Sequence, residues 1–179
     1  MNNTEKVKTQ IFENPSKEFH IRLLARKTGL HPNTIITITD RLQKEGLLVK
    51  KKSSDTNLTL IRANTQNRQY KLQKTFYNIN KINTSGLIDF LEKELSHPTI
   101  ILFGSYAKGE NHPESDIDLF IIAAEKKKID ANKYEDKLGV EIQLLIHTET
   151  EFGKLKKNNK ELINNVINGY KITGYLEVL

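Results

Sequence analysis

Apolar positions along the chain change period several times, and each change marks an expected element. Over residues 4–14, Val7, Ile11 and Phe12 share one helical face, with Thr4 as the cap and Pro15 as the stop. Ile21, Leu24 and Ala25 predict a second helix over about 21–27, followed by a tight turn at Thr28-Gly29-Leu30. His31-Pro32 opens a third helix, proline being favoured in the first turn, and Ile35, Ile38 and Leu42 form its apolar stripe. The period then shortens. Gly46–Lys52 and Leu58–Arg62 read as two short strands joined by a polar turn around Ser53-Ser54-Asp55. Residues 65–82 return to helical spacing through Tyr70, Leu72, Phe76, Tyr77 and Ile79, and Asn83-Thr84-Ser85-Gly86 punctuates them. Leu87–Leu95 is a further amphipathic helix, ended by His97-Pro98.

Beyond residue 97 the pattern is dominated by short continuous apolar runs. Ile100-Ile101-Leu102-Phe103 is the length of a buried strand, and Gly104-Ser105 breaks it before a helical turn and a small polar loop. Ile117–Ile122 is a second strand, and Val140–Ile146 a third, with a short helix at Lys133–Lys137 between them. A closing helix is expected over 151–168, capped by Thr148 or Thr150 and stopped by Gly169. Tyr170-Lys171-Ile172 reads as a brief strand, and no internal repeat or low-complexity tract interrupts the series.

Composition adds limits. The chain has 179 residues, 37% of them hydrophobic, enough for one domain or two small ones. No run approaches the length of a membrane span, and MNNTEKVKTQ lacks the apolar core of a signal peptide. The absence of cysteine removes disulfides and thiolate metal sites, and a cytoplasmic location is expected. Charge is unevenly shared. Residues 1–82 hold 16 Lys/Arg against 6 Asp/Glu, a net of +10, and residues 83–179 hold 12 against 16, a net of −4, which together give the overall +6. The basic half is the expected nucleic-acid binder.

The candidate chemistry lies in the acidic half. Asp116 and Asp118 stand two apart at the start of a strand, so they project from one face, about 6–7 Å apart at the backbone. Two carboxylates so placed repel one another unless a cation sits between them, and Mg2+ takes hard oxygen ligands of this kind beside phosphate oxygens. Gly104 lets the backbone approach a phosphate closely, exposed N–H groups of the bend hold anions, and Ser105 adds a hydroxyl donor. Gly104-Ser105, ten intervening residues and Asp116-Ile117-Asp118 resemble the signature of minimal nucleotidyltransferases of the DNA polymerase β superfamily. Tyr106–Glu110 and Pro113-Glu114-Ser115 resemble the usual filling of that loop.

The resemblance implies a small mixed sheet with helices mainly on one side, and ATP with Mg2+ docked on Gly104 and Ser105, assisted by Lys108. It also implies a third carboxylate on the neighbouring strand, completing the metal and catalytic set. Glu141 is the acid there, giving Asp116, Asp118 and Glu141; Gln143, on the same face, is the rival for that position. The implied reaction is transfer of AMP from ATP to a hydroxyl. The acceptor is expected on a partner protein, as in antitoxin-type enzymes.

In the basic half, Asn33, Thr34, Thr37 and Arg41 project away from the apolar stripe of the third helix and suit base edges in a major groove. Lys50, Lys51 and Lys52 line a hairpin edge suited to phosphates. The order helix, helix, turn, helix, hairpin resembles a winged helix-turn-helix DNA-binding domain, for which protein contact or dimerisation is the alternative use. A homodimer would suit paired half-sites. The expected architecture is therefore α+β: a winged helix-turn-helix over 1–64, connecting helices over 65–96 and a polymerase β-like nucleotidyltransferase domain over 97–179. The alternative function is a winged-helix regulator whose second domain only senses nucleotide or is inactive. Glu141 beside the aspartates favours the enzyme, Gln143 the sensor.

Overall fold

Asn2, rather than Thr4, caps the first helix, because its side chain accepts the Glu5 N–H at 2.9 Å and α1 (Asn3–Glu13) begins there. The computed structural model describes residues 2–54 and 58–177. Asp55 of the expected turn lies outside the described residues. The chain divides into two compact units, Met1–Lys74 and Thr75–Leu179.

In the first unit α1 is followed by β1 (Phe19–His20), α2 (Ile21–Thr28), α3 (Pro32–Lys44), β2 (Leu48–Lys52) and β3 (Thr59–Ala63). The two-residue β1 is too short to carry a period and was not expected from the sequence. It pairs with β3, Phe19 opposite Ile61, and makes a three-stranded antiparallel sheet in the order β1-β3-β2. His20 ends β1 and caps α2, its Nδ1 accepting the Leu23 N–H at 3.2 Å. His31 caps α3 in the same way, accepting the Asn33 N–H at 3.3 Å, with Pro32 in the first turn. Ile35, Ile38 and Leu42 are buried as their stripe predicts. In α2 Leu24 alone of the expected set is buried, while Ile21 and Ala25 stay half-buried. The three helices and the sheet share the core of Val7, Ile11, Phe12, Phe19, Leu24 and Ile61.

Next comes α4 (Arg68–Ser85), which carries the division between the units at Lys74/Thr75 and runs three residues past its expected end. Asn83, Thr84 and Ser85 stay helical, with the hydroxyls turned back onto the preceding turn: Thr84 Oγ1 donates to the Asn80 carbonyl at 2.8 Å and Ser85 Oγ to that of Ile82 at 2.6 Å. The turn falls instead on Gly86, whose φ of +85° glycine adopts freely. The stretch expected to connect domains contributes to the second core: Ile79 and Ile82 of α4, and Leu87, Ile88 and Leu91 of α5 (Leu87–Glu94), are buried against the sheet.

That sheet contains β4 (Thr99–Phe103), β5 (Ile117–Ala123), β6 (Ile142–Thr148) and β7 (Tyr170–Thr173) in the order β6-β5-β4-β7. Only β5 and β6 run parallel, so the sheet is mixed, as expected. The expectation of helices mainly on one side is corrected. Ile100, Leu102, Leu119 and Ile121 face α4, α5 and α7 (Asn132–Leu138), while the alternate positions Ile101, Phe103, Phe120 and Ile122 are covered by Phe152, Ile163 and Val166. Both sets of alternate residues are apolar, so neither face tolerates water, and the continuous runs of β4 and β5 follow from this.

The closing helix is likewise two: α8 (Glu149–Asn158) and α9 (Lys160–Ile167). Asn159 breaks them at φ −135° and caps α9, its side chain accepting the Leu162 N–H at 3.1 Å. Thr148 caps α8 in a capping box with Glu151.

Candidate nucleotide site

β4 ends at Phe103, which pairs with Asp118 of β5, so the chain leaves the sheet directly beside that carboxylate. It leaves through Gly104, at φ +69°, into the short helix α6 (Gly104–Lys108). Glycine is required here twice over. The backbone is left-handed, and a Cβ on Gly104 would lie 2.2 Å from Asp118 Oδ2. The acid therefore faces the bend. Ser105 is half-buried at the start of α6, and Lys108 is exposed at its end, about 4.5 Å further along by helical rise.

The loop back to β5 closes on itself: Ser115 N–H donates to the His112 carbonyl and His112 N–H to Ser115 Oγ, both at 3.0 Å. Asp116 follows, exposed, one residue ahead of β5, and Asp118 is half-buried. Burial, and then the negative charge of Asp116, hold the Asp118 carboxyl above its ordinary value. A carboxylate in this state is one that a bound cation would stabilise.

The strand expected over 140–146 runs from Ile142 to Thr148, so Glu141 precedes it and is exposed. The parallel register sets Gln143 beside Asp118, on the same face, and Ile142 beside Ile117. Glu141 meets the neighbouring strand through its carbonyl, which accepts the Ile117 N–H at 2.9 Å. Among the described residues no three His, Asp or Glu side chains converge as a metal-holding group. The residues present fit a single hard cation between Asp116 and Asp118, with the amide oxygen of Gln143 as neutral neighbour.

Behind the bend stands a buried polar group that sequence reasoning missed. Asn78 of α4 donates through Nδ2 to the Tyr106 carbonyl and to Asn111 Oδ1, both at 2.9 Å, and Thr75 Oγ1 donates to the Ala107 carbonyl at 3.1 Å. Its only signal was a polar residue one turn before Ile82, on a face that also buries Lys74 and Ser85.

In the first unit, Asn33, Thr37 and Arg41 are exposed on α3 and Thr34 is half-buried. Thr37 Oγ1 donates to the Asn33 carbonyl at 3.1 Å, and Arg41 is held by the Thr4 hydroxyl and by Glu45 at 3.7 Å. Lys50 is half-buried and paired with Asp40 at 2.5 Å, whereas Lys51 and Lys52 are exposed on β2. Asp40, on the face assigned to DNA, was overlooked in the sequence.

The chain thus has a glycine bend that packs its backbone against an aspartate at one end of a mixed sheet, in an α+β unit. The family model described as Polymerase beta, Nucleotidyltransferase matches residues 85–174, half of the chain, and the chain belongs to that family. No curated protein and no solved structure matches it. No described helix is long and apolar enough to cross a membrane.

Proposed function

We propose that the second unit binds a nucleoside triphosphate with a divalent cation, ATP with Mg2+, and that the first is a winged helix-turn-helix that binds DNA. The chain is then a DNA-binding regulator whose nucleotidyltransferase-family domain reads nucleotide. One observation carries this reading: Gly104 lies against the Asp118 carboxylate while the strand partner of Asp118 is the neutral Gln143. Gly104 and Ser105 would receive phosphate oxygens on backbone N–H groups and a hydroxyl, and Lys108 would add positive charge. Asp116 and Asp118 would hold the cation, which supplies charge neutralisation for the phosphates.

Turnover asks for more. In transfer of AMP, the acceptor oxygen bonds to the α-phosphorus, the α–β bridging bond breaks, and pyrophosphate leaves with the electron pair. The hydroxyl proton needs a base. An amide is not one, so Gln143 cannot take the proton, and turnover would fall to Glu141, level with Asp116 in the same register.

The second reading, Mg2+-dependent transfer of AMP to a hydroxyl of a partner protein, is favoured by family membership and by Glu141, which lies one residue before β6. There Glu141 takes the proton and completes the set with Asp116 and Asp118. Titration with Mg2+ and a nonhydrolysable ATP analogue, beside incubation with labelled ATP and candidate acceptors, separates the two. Saturable binding without label transfer, and label appearing with Gln143→Glu, supports the regulator. Transfer that Glu141→Gln abolishes supports the enzyme. Undetectable binding at millimolar nucleotide overturns both.

A further inference from the structure

We propose that Asn78 is a positioning residue of the nucleotide site, clamping in one place the end of the bend and the loop that delivers Asp116. The proposal rests on the nucleotide reading above. α6 is five residues long, so its carbonyls cannot be satisfied within the helix. The backbone serves them incompletely: Glu110 N–H takes the Ser105 carbonyl at 2.9 Å, while Gly109 N–H reaches that of Tyr106 only at 3.4 Å. The missing donors come from α4. Thr75 serves Ala107, and both amide hydrogens of Asn78 are engaged, one on Tyr106 at the end of the bend and one on Asn111 in the following loop.

Asn78 is 2% exposed and Asn111 8% exposed, so water does not replace either bond. Phosphate ligands at Gly104-Ser105 and the acid at Asp116 stand on opposite sides of this clamp. Releasing it would let them move independently. Thr75 and Asn78 also precede residue 85, where the family match begins, so this support lies outside the matched region.

The test compares nucleotide affinity, thermal stability and hydrogen exchange in the full chain. Asn78→Ala removes the buried donor shared by the Tyr106 carbonyl and Asn111 Oδ1 and is expected to weaken Mg2+·ATP binding about tenfold. Exchange should quicken over residues 104–116 and not over α5 or β6. Asn78→Asp, isosteric but unable to donate, should do at least as much. Thr75→Val should weaken binding, and Thr75→Ser, which keeps the hydroxyl, should restore it.

Ile82→Val, one turn along the same buried face, is the control for general loosening. It should lower Tm while leaving the affinity within about twofold. Equal weakening by Ile82→Val and Asn78→Ala, or unaltered affinity in Asn78→Ala, overturns the proposal. Wild-type protein that fails to bind nucleotide sinks the reading of the site instead. The exchange comparison on nucleotide-free protein still decides the clamp, and unchanged exchange over 104–116 rejects it.

Discussion

Asp118 is asked to be ionised in a place that disfavours ionisation, and the consequence can be measured without nucleotide. Its folded carboxyl is held above the ordinary aspartate value, by burial first and the Asp116 charge second. A raised acid pKa means that folding favours the protonated form. The fold therefore loses stability as pH rises from the ordinary aspartate range through the raised value, and the loss persists at neutrality. Asp118→Asn removes it. Its apo Tm should match wild type below about pH 4 and exceed it at pH 7. A difference that does not grow with pH over this interval refutes the account. The same variant should bind Mg2+·ATP at least about 100-fold more weakly, since even groups that only support ligands are worth about 10–100-fold. Gly104→Ala carries both a left-handed backbone cost of about 1–2 kcal/mol and displacement of Asp118. Chemical denaturation should show at least that loss, with nucleotide binding abolished.

At the scale of elements, the runs and stripes that had to be buried were readable: the α3 stripe, β4, β5 and the bend between them. What escaped depended on partners far away in sequence. The two-residue β1 exists because Ile61 offers it a pairing partner. Asn159 divides the closing helix because its side chain caps a new one, which hydrophobic spacing does not encode. The start of β6 moved by two residues, and the register with β5 sets Gln143 beside Asp118 and Glu141, one residue ahead of the strand, level with Asp116. A period-two pattern places both on one face but cannot rank them, because rank depends on register with β5. Of the two caps expected for the closing helix, Thr148 or Thr150, the structure uses Thr148, whose role is testable alone. Thr148→Ala removes the acceptor that holds Glu151 N–H at 3.2 Å and should cost about 1 kcal/mol in urea, with an unchanged slope. A loss below about 0.3 kcal/mol would show that packing of Phe152 alone holds α8.

For the whole molecule, charge was legible in the sequence while its division into units was not. The break at Lys74/Thr75 lies inside a continuous helix, without the glycine, proline or polar run by which boundaries are read. The +10 balance of residues 1–82 predicts that the proposed DNA affinity falls as salt rises, because less is gained by releasing counterions. Its distribution makes a finer prediction. Lys50 already has a carboxylate at 2.5 Å, and Arg41 is engaged with Thr4 and Glu45, whereas Lys51 and Lys52 are exposed with no ion pair among the described residues. Removing Lys51 or Lys52 should therefore lower the slope of log K against log salt by about 1 each, uniformly across DNA sequences. Removing Lys50 should change the slope less, because its ammonium is already paired with Asp40 and neutralises less phosphate charge. Asn33→Ala and Thr37→Ala should leave the slope intact and reduce discrimination between sites, by about 1–3 kcal/mol where a base edge is lost. Fluorescence anisotropy on duplexes from 50 to 300 mM salt reads both quantities. An affinity indifferent to salt assigns this unit to protein contact, and a slope carried by Lys50 as strongly as by Lys51 means that the pair with Asp40 opens on binding.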